Sequence, residues 1–142
     1  MRVNRDFAAA LLAAVAVVLV VVLGFMRIHG PSVQRLVRTD QKRIQNLNQL
    51  ANEINSQYNQ HGKELPLDLN DSQKSKYADP VSRRAPVYTP LPSGSYTLCA
   101  TFSTDNTKEE RDTTFAFWAH PAGSKCFQLS AADPVPVSPY FY

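Results

Sequence analysis

Apolar residues are distributed along this chain in three different rhythms. From Phe7 to Met26 they are continuous, twenty positions without a charge and almost all Ala, Val or Leu. At about 1.5 Å per residue, a helix of that length reaches ~30 Å, the thickness of a bilayer's hydrocarbon core. A helix also satisfies every backbone group internally, which is what lipid demands. Arg5, Asp6 and Arg27 mark the edges of the run. The pattern predicts a short flank over 1–6 and a transmembrane helix over 7–28. The run ends Leu23-Gly24-Phe25-Met26-Arg27, without a small-x-small cleavage pattern, so the expectation is an uncleaved signal anchor.

From Val33 to Tyr58 the rhythm becomes helical. Apolar residues fall at 33, 36, 37, 44, 47, 50, 51, 54 and 58, and from 44 onward they hold one face. This predicts an amphipathic helix over 32–61, its lower half packed on something and its basic upper half in water or near headgroups. Gly62 supplies the stop and Pro66 prevents resumption.

Beyond residue 62 the rhythm shortens. A loop at 64–71 is expected to tuck leucines against the helix, and Tyr77, Val87 and Tyr88 are anchors in a Pro-, Ser- and Arg-rich stretch over 72–95. Alternation predicts strands at Ser95–Phe102 and Thr113–Ala119, with a shorter one at Lys125–Leu129. A polar loop, 103–112, separates the first two. Residues 131–142 are too rich in Pro for helix or central strand and read as an extended tail. The fold class is therefore α+β: an N-terminal transmembrane helix, then a long amphipathic helix packed on a small antiparallel sheet, with 62–130 completing the module.

Composition narrows the classes. Of 142 residues, only ~70–80 remain for a folded part once both helices are set aside, and such a core is marginal without a staple or a partner. Large catalytic architectures are excluded, and with Gly scarce at 5 no Gly-rich phosphate loop is present. The net charge of +3 hides a split. Residues 27–43 carry five Lys/Arg against Asp40, while from residue 44 onward ten acids outnumber eight bases. A nucleic-acid interface needs a basic face on a folded domain, whereas this basic cluster abuts the anchor and suits lipid headgroups. The bilayer is the expected partner; nucleic acid is not.

The two cysteines bear on compartment. Cys99 and Cys126 each sit in a strand-like apolar setting. An even pair in a small domain is what an oxidising compartment staples, and a bridge closing this loop is worth ~3–4 kcal/mol. Free buried thiols are the alternative, as is metal ligation together with His120. Structural zinc, however, wants four ligands in paired short spacings, which are lacking. Counting basic residues after the anchor argues for a cytoplasmic C-terminal domain; the cysteine pair argues for export, which is the reading adopted. His120, before Pro121, reads as a turn residue bonding a backbone carbonyl. No catalytic residue and no cofactor is expected. Trp118 belongs to the core or, on an outer face, to a partner-binding surface.

The segment Leu47 to Leu69, with Gly62, Lys63, Pro66 and Leu69 in the expected sense, resembles the helix end and Gly-x-x-Pro-x-x-Leu turn of type IV pilins and pseudopilins. Asp79-Pro80, Pro86-Val87-Tyr88, Ser95 to Phe102, Phe117 to Gly123 and Lys125-Cys126-Phe127 are similar to a group of membrane-anchored, pilin-like bacterial proteins. The resemblance covers roughly 33–129. The family's processing site, a Gly before an aromatic-led apolar helix containing Glu, is replaced by Asp6-Phe7 and a run without acids. The resemblance thus implies an unprocessed, tethered relative of pilins in the bacterial cytoplasmic membrane. It would act through contact with other envelope proteins or copies of itself, as an accessory to a pilus-like or secretion machine. The expected partner-binding residues are Ile44, Leu47, Ala51, Ile54 and Tyr58 on the helix face, with Trp118. The alternative is a cytoplasm-facing scaffold whose helix forms a coiled coil.

Overall fold

A computed structural model describes residues 3–27, 31–107 and 116–138. Two compact units separate between Gln34 and Arg35. The first holds helix α1, Val3–Arg27. Its window Phe7–Gly24 is long and apolar enough to cross a membrane, and none of that window is buried.

Helix α2, Pro31–Gln60, runs into the second unit. Its stripe of Ile44, Leu47, Leu50, Ala51, Ile54 and Tyr58 is buried because the 3–4 spacing stacks these side chains on one side. The sheet supplies the other wall. Its order is β1 (Val87–Pro90), β2 (Ser95–Phe102), β3 (Gly123–Ser130), antiparallel throughout. Alternation along β2 and β3 sends Tyr96, Leu98, Phe102, Phe127 and Leu129 inward, where they join the helix stripe, Trp118 and Ala131 in one core. The Tyr96 hydroxyl sits between the layers and donates to Asn55 Oδ1 at 2.7 Å, which pins the middle strand to α2. The α+β architecture read from the sequence is the one observed.

Several local expectations are corrected. Residues 116–118 form a 3-10 turn, not the end of a strand, and the third strand of the sheet is instead β1. The expected strand's start, Thr113–Phe115, lies outside the described residues, as do most of the 103–112 loop's acids and the tail's aromatic tip. A further helix, α3, Asp71–Lys76, runs from the end of the expected 64–71 loop into the 72–95 stretch, opened by a reciprocal capping box between Asn70 and Gln73. Of the three leucines in the 64–71 loop, Leu69 is buried and Leu65 packs on the core, but Leu67 is 91% exposed. The tail docks: Pro136's carbonyl accepts from Trp118 Nε1 at 3.0 Å and from Asn48 Nδ2 at 2.8 Å.

Candidate functional site

The residues expected to bind a partner are where the sequence placed them on α2, but they face inward. Ile44, Ala51 and Ile54 have no exposed surface, Leu47 retains 2%, and Tyr58 lies at the edge of the same core. Trp118 is likewise fully buried, edge-on to Phe117 and close to Phe127. Their surface is spent on the module's own sheet. That face is therefore closed, to a coiled coil as to any other contact, while the module is folded.

Cys99 and Cys126 are directly opposed in the β2–β3 register and are joined by a disulfide. Alternation settles which face carries it. Tyr96, Leu98 and Phe102 point to α2, so Cys99 points away, and Cys126 is exposed. The bridge thus ties neighbouring strands on the sheet's outer surface, outside the core.

Beside it lies a cleft of about 370 Å³, walled by α2 (Arg43, Asn46, Leu47), by the 77–87 segment and by Cys99–Thr101 of β2. It exists because β1 pairs with β2 only as far as Cys99, leaving Ala100 to Phe102 without a β1 partner. The cleft's charges are largely neutralised. Arg43 bridges Asp79 through Nε and Asp40 through Nη1, the latter at 2.6 Å, and also donates to Ser103. Burial alone would raise the Asp79 pKa, but the Arg43 bond and the N–H groups of Ser82 and Val81 hold it far below the usual carboxylate range. Arg84, exposed at the rim, is the cleft's remaining lining cation.

Sequence reasoning missed two polar nodes. Asp40 is 2% exposed and accepts the N–H groups of Ser103 and Thr104, closing the end of β2 onto α2. Glu53 collects Gln73 Nε2, Lys76 Nζ and Tyr77 Oη, fixing α3 against α2. The Tyr77 bond is the main reason that the Glu53 pKa is lowered. The Asn70-x-x-Gln73 spacing was a readable signal for α3; no local signal marks Asp40.

His120 is buried and stacked on Phe102, ring centroids 3.8 Å apart, and its backbone exchanges hydrogen bonds with Asn106. Burial pulls its pKa down. Among the described residues, no group of three His, Cys, Asp or Glu side chains converges to hold a metal. Comparison with family models, curated proteins and solved structures returned no match.

Proposed function

We propose that this chain is a single-pass protein of a bacterial cytoplasmic membrane that presents a pilin-like module on the extracytoplasmic side and works by protein–protein contact. The observation that carries it is the Phe7–Gly24 helix, wholly unburied in a chain whose second unit has a core of its own. Such a contiguous apolar surface is paid for in water but not in lipid. The disulfide supports an oxidising location for the module. Since the apolar face of α2 is consumed internally, contact with an envelope partner, such as a pilus-like or secretion machine, falls to the exposed surface around the cleft and the loops.

The test is a topology pair, with alkaline phosphatase or a cytoplasm-dependent fluorescent protein fused after Tyr142 in bacterial cells. Active phosphatase, a dark fluorescent fusion and carbonate-resistant membrane association support the reading. The reverse pattern, or release by carbonate, overturns it.

A further inference from the structure

The basic cluster at 27–43 is a single run in the sequence, but the fold sorts it. Arg43 turns inward, bound to Asp40, Asp79 and Ser103, and Asp40 turns inward with it. Arg35, Arg38 and Lys42 stay exposed. Their spacing of three and then four aligns them on one side of α2, opposite the side marked by buried Asp40, Ile44 and Leu47. Asp40 is the only acid between residues 35 and 42, so the exposed charge of this stretch is uniformly positive. Leu36, 44% exposed, and half-buried Val37 carry the apolar stripe of α2 past the end of the core. The result is a cationic helix face, turned away from that apolar stripe, which the module leaves uncovered.

We propose that residues 35–42 of α2 dock on an anionic phospholipid surface, with Arg35, Arg38 and Lys42 on headgroup phosphates. This rests on the anchorage proposed above. Arg35 follows Gly24, the end of the candidate span, by eleven positions, so the tether keeps this face near a bilayer surface. Charge complementarity selects the occupant. A second copy aligned in parallel would set three cations against three, whereas anionic headgroups neutralise them. Arg adds planar, two-pronged phosphate contacts that a solvated cation does not. Each cation near an anionic membrane contributes roughly fivefold to the docked population, and three together roughly a hundredfold.

The experiment uses the full chain with Thr39→Cys, four residues after Arg35 and three before Lys42 on the cationic face, carrying an environment-sensitive fluorophore, the native cysteines being occupied in their disulfide. It is reconstituted in vesicles of phosphatidylcholine alone or with one-quarter phosphatidylglycerol. Docking shifts the emission to the blue and exposes the dye to a headgroup-borne quencher only in the anionic vesicles. High salt, or the triple variant R35Q/R38Q/K42Q, abolishes both effects. Identical emission in the two vesicle types, or an unaltered response in the triple variant, overturns the proposal. So does chain-density-dependent self-quenching at position 39, which would put a second copy there. Carbonate resistance, read on the same vesicles, separates failure of docking from failure of anchorage.

Discussion

Asp40 accepts both donors of Thr104, its backbone N–H and its hydroxyl, each at 2.7 Å. One carboxylate on α2 thereby fixes the chain where it leaves β2, while Arg43 balances its charge from one turn further along. A carboxylate is suited to this because it offers four acceptor sites and no donor, and Ser103 takes up the rest with its N–H.

Replacing that carboxylate tests the anchor. Asp40→Asn keeps the shape but turns charge-assisted bonds into neutral ones and brings an amide donor against N–H groups. We expect a loss of about 2–3 kcal/mol. Urea denaturation of the full chain in detergent measures it, followed by the fluorescence of Trp118, the protein's single tryptophan. Arg35→Gln, on the exposed side of the same helix, should stay within about 0.5 kcal/mol of the parent. Equal effects from the two variants would remove the anchor's special status.

The disulfide makes a different prediction because of its position. It lies on the outer face, so reducing it opens no void in the core, and the eight paired positions of β2 and β3 remain. The module should stay cooperatively folded when reduced, less stable by ~3–4 kcal/mol. Exposed Cys126 should let a small reductant act without prior unfolding. Alkylation followed by mass spectrometry in native buffer reads the rate; reduction that requires denaturant would contradict the outer placement.

Gly94 carries a steric prediction. It adopts φ +73° in the turn before β2, and an added Cβ would lie 2.7 Å from the Tyr58 hydroxyl. Gly94→Ala therefore combines left-handed backbone strain, about 1 kcal/mol, with displacement of a core-edge ring. Thermal unfolding should show the loss, and Tyr58→Phe in the same background should recover part of it, since the nearest obstructing atom is then gone. No recovery in that double-mutant comparison would assign the whole cost to the backbone.

Acid should weaken the module in two stages. Burial lowers the His120 pKa, and the opposing influences of the Pro121 and Thr104 backbone and of the Asp40 and Asp105 charges do not restore it. The unfolded chain then binds the extra proton first. This contribution is complete above about pH 6.5 and is lost as pH falls from there to the lower folded value. Asp79 and Glu53 are also depressed, so their contributions hold above about pH 4 and vanish below it. Melting temperatures taken from pH 7.5 to 3 should show both declines, and His120→Gln should flatten the first while leaving the second. Parallel profiles for the two proteins would exclude His120 as the source.

What the sequence by itself determined was everything written in local period. The unbroken run at 7–26 specifies α1 because every one of its positions is uncharged and nearly all are apolar. The spacing of Ile44, Leu47, Ala51 and Ile54 specifies which side of α2 is buried, and alternation from Tyr96 to Phe102 specifies β2. That this side of α2 packs on a small sheet was also expected; only the tertiary structure decided that the packing leaves none of it for a partner. It turned Ile44, Leu47, Ala51, Ile54, Tyr58 and Trp118 from expected contact residues into the module's interior, because the sheet that buries them is assembled from positions dozens of residues away. It made a strand of Val87–Pro90, whose single proline reads as loop until β2 offers an edge to pair with. It also drew Asp40 and Arg43 out of a basic run and into ion pairs, one with Asp79 at thirty-six positions' remove. Periodicity records only neighbours along a helix or strand; register, ion pairing and the choice of outer face belong to contacts between segments, and those exist only once the chain has folded.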